Sequence, residues 1–290
     1  MLAQVVGNLL NLFLNWLLIY GNWGFPQMGA PGAGLASTIA VVVACIIVAP
    51  ALFRNKLIRR YRYERGLRID RGILRRMVAV GWPVGLQALL INGGFLAFLY
   101  INKEISVTAV SLTQSIIFLT TISFLPVVGI GVAAATMVGQ YLGAGNMERA
   151  RRSVWITVSL GIVIMIVFGF VYFVAGHHLL ELYIHDEKDI KRDFLTQGAI
   201  ILKIIACFQF FDAIGVVLAR ILQSAGLARF VMFVEVSLFW LLFLPAAYVL
   251  GVVLEHGVIG AWCAFMLYLI SYATLMVVRY RKGDWIKGEV

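Results

Sequence analysis

Long apolar runs, each about as long as a bilayer is thick, constrain this chain more than any other feature. A helix needs about 20 apolar residues to cross a hydrocarbon core of roughly 30 Å. Met1–Tyr20, Gly32–Phe53, Met77–Ile101, Val107–Val138, Ser153–Val174, Phe194–Leu222, Phe230–Leu250 and Val258–Tyr280 all reach that length. Hydrocarbon offers no partner to backbone N–H and C=O groups, so each run is expected to be a helix. Barrel strands would be about ten residues long with alternating polarity, and these runs do not alternate. Only 13% of the residues are charged while 62% are hydrophobic, against roughly a quarter charged in a soluble domain. A soluble enzyme and a disordered tail are excluded. The expectation is an all-α polytopic membrane protein with eight transmembrane helices.

The formal charge of +10 is concentrated in particular loops. Arg54–Arg76 holds ten basic residues against Glu64 and Asp70, and Arg149, Arg151 and Arg152 follow in the next loop on the same side. The opposite side has Lys103, Lys188, Lys191 and Arg192 among several acids. The bias of Lys and Arg sets orientation, and it places the basic side, with both termini, in the cytoplasm. The charge is therefore a topology signal and a contact for anionic headgroups; no nucleic-acid partner is expected. Residues 54–76 form a basic linker, expected as a short amphipathic helix on the membrane surface. The linker separates residues 1–53 from residues 77–290. The first run begins at Met1 with no charged lead and no cleavage site, so a signal peptide is not expected. A chain that has lost its beginning, or whose start is assigned internally, is the expectation. Cys45, Cys207 and Cys263 lie in apolar runs, where a thiol behaves as a small hydrophobe.

An internal echo crosses the linker. Gly29-Ala30-Pro31-Gly32-Ala33-Gly34-Leu35-Ala36 leads into the second run, and Gly257-Val258-Ile259-Gly260-Ala261-Trp262-Cys263-Ala264 leads into the eighth. Small residues at this spacing let helix backbones approach closely. Two explanations stay open: convergent packing chemistry, or a repeat of the kind from which transporters are commonly built.

Three segments resemble the multidrug and toxic-compound extrusion (MATE) family. They are Asn8–Ala36, with Asn11, Leu14-Asn15-Trp16, Tyr20-Gly21 and Pro26; Val138-Gly139-Gln140-Tyr141-Leu142-Gly143-Ala144-Gly145-Asn146 with Glu148–Arg152; and Phe208-Gln209-Phe210-Phe211-Asp212 running on to Ala225-Gly226-Leu227-Ala228-Arg229. The resemblance implies two six-helix lobes around a cleft that opens alternately to each side. This chain would supply the last two helices of the first lobe and all of the second, a partial MATE-type two-lobe fold. It implies antiport, in which an organic, often cationic compound leaves while H+ or Na+ enters, with no cofactor beyond that ion. The implied partners are the bilayer, a small organic substrate, and either the missing N-terminal helices or a second chain. Two other readings are a lipid-linked oligosaccharide flippase of the wider superfamily and a non-transporting truncated remnant. A flippase would need a cationic cleft, for which Lys203 and Arg220 are the intramembrane candidates.

Only Asp212 and Glu235, among fourteen acidic residues, fall well inside the apolar runs. A charge at the bilayer centre costs about 2.5–3.5 kcal/mol on insertion scales, so it needs a partner, water or a proton. Gln209, one turn from Asp212, is expected to hydrogen-bond it, and Gly215 to leave room for a ligand or water. By the resemblance, the acid at Asp212 belongs to the cation-coupling site. Sodium-coupled relatives have a second acid in the seventh helix, which falls near Ile91; the polar groups of that run are instead Gln87 and Asn92. Phe208 and Phe211 are expected to line or support the cleft. Arg220 and Glu235 are expected to form a structural ion pair across adjacent helices.

Gln4, Asn8, Asn11 and Asn15 recur at helical spacing and share one face of the first run. They form either a cleft wall offering hydrogen bonds to substrate or a set of interhelical amide bonds worth about 0.6 kcal/mol each. Pro126 lies mid-run, where it removes a backbone hydrogen bond and kinks the helix; a gating bend and a static kink are the two readings. Gly143-Ala144-Gly145 lacks the Gly-Lys-Ser/Thr of a nucleotide loop, and no enzymatic constellation is expected. His177, His178 and His185 are read as solvated loop residues, with no metal site.

Overall fold

The computed structural model describes residues 2–52, 70–182, 188–283 and 285. These residues are helices joined by short turns, and the chain divides into two compact units, Met1–Leu74 and Arg75–Val290. Most of the basic segment lies outside the described residues, and with it the expected surface helix. Its last part is instead the start of a long helix. Asp70 caps that start through its carboxylate, which accepts the N–H of Gly72 at 2.7 Å and of Ile73 at 3.2 Å.

The first unit is a helical hairpin, α1 (Leu2–Tyr20) and α2 (Ala30–Leu52), joined through a 3-10 turn at Asn22–Gly24. Asn22 secures the turn by donating its side-chain N–H to the Trp16 carbonyl at 2.8 Å. Phe13, Trp16 and Trp23 cluster at this end with ring centroids 5.8–6.2 Å apart, as expected of aromatics at a membrane interface.

The second unit contains α3 (Arg71–Ile105, whose first turns belong to the first unit), α4 (Val107–Gly143), α5 (Met147–Glu181) and α6 (Lys188–Leu222). Then come α7 (Ala228–Ser237), α8 (Leu244–Tyr248) and α9 (Gly257–Arg281). Ser106 caps α4, accepting the Ala109 N–H at 2.9 Å, and Asn146 caps α5, accepting the Arg149 N–H at 3.1 Å. α6 is central, packed against α4, α5 and α9.

Among the described residues, seven helical stretches are long and apolar enough to cross a membrane. Eight separate spans were expected; the difference lies in the stretch Arg192–Val253, which runs for 62 residues because helical hydrogen bonding continues where a loop was anticipated. Gly226 interrupts it with φ 90°, a conformation open to glycine. Further on, π-helical stretches at Leu238–Phe243 and Val249–Val253 flank α8. Pro245 lies between them, has no N–H to give the ladder, and leaves the neighbouring turns to widen. Pro126 has no such effect: α4 keeps helical backbone angles through it.

The buried side chains of the second unit fall into two layers. One contains Leu112, Ile116, Ile205, Phe208, Phe239, Phe243 and Trp262; the other contains Val127, Val138, Met165, Ala213, Val217, Leu222 and Met276. The boundary falls between Leu119 and Val127 on α4, between Phe208 and Ala213 on α6, and between Leu269 and Tyr272 on α9. Ser123, Gln209 and Asp212 occupy the seam.

The two echo motifs have the same backbone roles. Gly29 and Gly257 both have positive φ, 59° and 63°. The residue before each donates its N–H to a leucine carbonyl of the preceding helical segment, Met28 to Leu18 at 3.0 Å and His256 to Leu250 at 3.3 Å. Gly32 and Gly260 lie against those same carbonyls, where a Cβ would come within 2.7 Å and 2.6 Å of the oxygen.

Candidate functional site

Asp212 lies at the seam, about 15 Å along the axis from the end of α6 at 1.5 Å per residue, and it lines two cavities at once. The larger, of about 570 Å³, is walled by Asn92, Phe95, Phe118, Phe124, Phe208, Gln209, Trp262 and Phe265, with Thr120 and Ser123 at its polar edge. Its aromatics are interlocked: the Phe208 and Trp262 rings meet the Phe265 ring at 6.0 Å and 5.6 Å, both edge to face. The smaller, of about 160 Å³, has Asp212, Arg220, Glu235, Gln87, Gln223, Tyr268 and Tyr272 in its wall. Phe95, Phe124 and Phe265 border both.

Among the described residues, no group donates a hydrogen bond to the Asp212 carboxylate. Gln209, expected to do so, turns instead to α4, where its side-chain N–H donates to Ser123 Oγ at 3.4 Å. Ser123 in turn donates to the Thr120 carbonyl at 2.8 Å. The carboxylate therefore faces cavity space.

Glu235 is held quite differently. Its Oε2 accepts from Gln87 Nε2 at 2.5 Å and from the Tyr272 hydroxyl at 2.8 Å. Gln87 Oε1 accepts from Gln223 Nε2 at 3.0 Å, and Gln223 Oε1 accepts from Arg220 Nη1 at 3.5 Å. The expected Arg220–Glu235 ion pair is thus replaced by a chain with two glutamines between the charges. His177 and His178 each lie within 4 Å of the Glu181 carboxylate. Gly215 also has another role than expected. A Cβ there would come within 2.8 Å of the Tyr272 ring, so this glycine makes room for the tyrosine that reaches Glu235.

Asn92 lines the larger cavity with its side-chain N–H turned back to the Ala88 carbonyl at 2.7 Å. Phe208 lines it too, whereas Phe211 packs beside the core and against Phe210 at 5.4 Å. Gln87 belongs to the smaller chamber. Lys203 lies with its Nζ 5.7 Å from the Phe173 ring centroid and lines neither cavity.

In the first unit the amides bond mainly to one another. Gln4 donates to Asn8 at 3.3 Å, Asn15 to Asn11 at 3.0 Å, and Asn11 across the hairpin to Ser37 at 3.1 Å. Gln4, Asn8 and Asn11 line a groove of about 720 Å³ between α1 and α2; Asn15 does not. Of these bonds, only Asn11 to Ser37 runs between helices; the other two stay within α1.

Tyr268, Tyr272, Gln223, Trp262 and Phe265 were not among the expected site residues. A tyrosine in an apolar run reads as an interface aromatic, and only the spacing of Tyr268 and Tyr272, stacked at 5.9 Å, hinted at a shared face.

The family model for MatE matches residues 83–249, more than half of the chain. The chain belongs to the MatE family. Across its full length it is 28% identical to a probable multidrug resistance protein NorM of Thermotoga maritima, covering 61% of that protein. It is 29% identical to a probable NorM of Rhodopseudomonas palustris over 94% of the chain and 58% of the relative. It is 26% identical to the multidrug resistance protein MdtK of Yersinia pseudotuberculosis, covering all of the chain and 63% of MdtK. The chain thus spans about 60% of the length of these MatE relatives. Solved structures share the fold: a MATE crystal structure in a straight conformation superposes with TM-score 0.85 at 21% identity, over 99% of this chain and 63% of that one. An outward-facing MATE transporter of the MOP superfamily gives 0.84 at 19% identity, over 99% and 62%. With its apolar helices, this MatE chain is a multi-pass membrane protein.

Proposed function

We propose that this chain is the larger part of a MatE antiporter of the inner membrane, exporting organic, often cationic compounds in exchange for H+ or Na+. The observation that carries this reading is the donor-free Asp212 carboxylate on the wall of a cavity rich in aromatic rings. Aromatic faces bind flat organic cations, and a carboxylate that no protein donor neutralises selects for positive charge. Asp212 is therefore the coupling residue, with Gln209 and Ser123 setting the polar edge beside it. The names of the NorM and MdtK relatives support a drug-like cargo.

The chain crosses the membrane eight times in this reading. The 62-residue stretch would be roughly 90 Å long at 1.5 Å per residue, about three times a hydrocarbon core. A return at Gly226 divides it into two crossings. The first unit then supplies two helices of one lobe and the second unit a six-helix lobe. A lipid-pyrophosphate cargo is disfavoured, since the described wall of the larger cavity contains a carboxylate and no Lys or Arg.

The test is dye transport by the 290-residue chain reconstituted in liposomes with an imposed proton or sodium gradient. Gradient-driven movement of a cationic dye is expected, and Asp212→Asn is expected to lower it at least tenfold while the dye still binds. Unchanged gradient-driven transport in that variant would remove Asp212 from the coupling site.

A further inference from the structure

The smaller chamber contains a charge imbalance that the larger cavity does not account for. Its wall has two carboxyl groups, Asp212 and Glu235, and one guanidinium, Arg220. Among the described residues, the remaining titratable groups facing it are the hydroxyls of Tyr268 and Tyr272 from α9; α3 and α4 contribute Gln87, Ile91, Phe95 and Phe124. One negative charge is therefore left over in a low-dielectric interior, where an uncompensated charge is strongly disfavoured. It calls for one cation.

The hydrogen bonds indicate which cation. Gln87 Oε1 and Gln223 Oε1 are already acceptors within the chain that leads to Arg220. Hard metal cations are held by several oxygens, and each of the two amide oxygens already has one lone pair engaged. A proton needs only one carboxylate oxygen. Glu235 offers one, because both of its donors converge on Oε2 and, among the described residues, none reaches Oε1.

We propose that Glu235 is a second proton-binding residue of this protein and that it shares a single proton with Asp212 across the smaller chamber. The inference rests on Asp212 being the coupling residue. The step is a proton transfer: the Asp212 carboxyl O–H is broken, its carboxylate is restored, and the proton forms an O–H at Glu235 Oε1 while Oε2 keeps the Gln87 and Tyr272 bonds. A chamber of about 160 Å³ has room for several waters to relay the proton. The proton then lies one glutamine chain away from Arg220 at the end of α6.

Infrared difference spectroscopy on the 290-residue chain in lipid nanodiscs tests this without requiring transport. Acidification is expected to produce a buried-carboxyl C=O band, set apart from surface acids by its higher frequency. Because the two acids share one proton, Glu235→Gln and Asp212→Asn are each expected to shift that band and its midpoint, and the double variant to lose it. Gln accepts the same two hydrogen bonds, so the thermal midpoint of Glu235→Gln should match the wild type; Glu235→Asp, which keeps the acid, supplies the shifted band if Glu235→Gln does not fold. A band altered by Asp212→Asn alone overturns the role of Glu235 and leaves the antiporter reading intact. A band altered by neither overturns both, and one altered by Glu235→Gln alone overturns the sharing. Loss of the band when sodium replaces choline at constant pH would overturn the proton in favour of an alkali cation.

Discussion

Gln87 connects the two charged ends of the smaller chamber, donating to Glu235 and accepting from Gln223. Replacing it with leucine removes both bonds at once and leaves a half-buried donor on Gln223 without that acceptor. Interhelical hydrogen bonds in membranes average only about 0.6 kcal/mol, but one of these goes to a carboxylate and the orphaned half-buried group adds its own cost. Gln87→Leu is therefore expected to lower stability by about 1–3 kcal/mol, read as a drop in the thermal unfolding midpoint in detergent. At this scale the sequence was legible only in part. Asp212 and Glu235 were visible because acids in apolar runs are rare. Their partners were not, because helical spacing ranks neighbours on one helix and is silent about the next. Gln209 is one turn from Asp212, yet its amide goes to Ser123 on α4; Glu235 takes its donors from α3 and α9.

At the level of elements, hydropathy placed the long helices among the described residues and understated several of them. α4 extends to Gly143 and α5 starts at Met147, beyond the apolar runs Val107–Val138 and Ser153–Val174. Capping by Asn146 and continued backbone bonding carry the helices past the point where side chains turn polar. The paired motifs were legible as sequence, but their backbone meaning was not: the Leu18 and Leu250 carbonyls each receive a loop N–H and a glycine face. The likeness of those contacts favours a repeat over convergent packing. Gly260→Ala and Gly32→Ala would drive a methyl group into a carbonyl oxygen, and each is expected to cost about 1–3 kcal/mol. Gly34→Ala, where a Cβ meets nothing within 4 Å, is expected to leave the unfolding midpoint unchanged or slightly raised.

For the molecule as a whole, labelling from one side counts how often the Arg192–Val253 stretch crosses. Two crossings put Glu255 on the same side as Asn22 and return Lys282 to the side of Asn146; one crossing exchanges Glu255 and Lys282. Single cysteines at these four positions, in a chain freed of the exposed Cys45, Cys207 and Cys263, are expected to sort accordingly. Those at 22 and 255 should react with an impermeant maleimide added to intact spheroplasts, and those at 146 and 282 only after the inner face is opened. Arginine placement gives the expected absolute sense, and Gly226 at φ 90° marks where the stretch is interrupted. Charge bias is written in the sequence itself. The break at residues 223–229 was legible there too; what the backbone adds is that helical bonding continues through it, with Gly226 alone at positive φ.

The Leu18 and Leu250 clasps carry a consequence for biogenesis. Each ties the foot of one helix to the entrance of its successor through contacts fewer than twenty residues apart in the chain, so each can close as soon as its second helix emerges from the ribosome. Insertion should then proceed by pre-closed pairs handed sideways to lipid, with α1 and α2 leaving the translocon together, before the downstream helices have been synthesised.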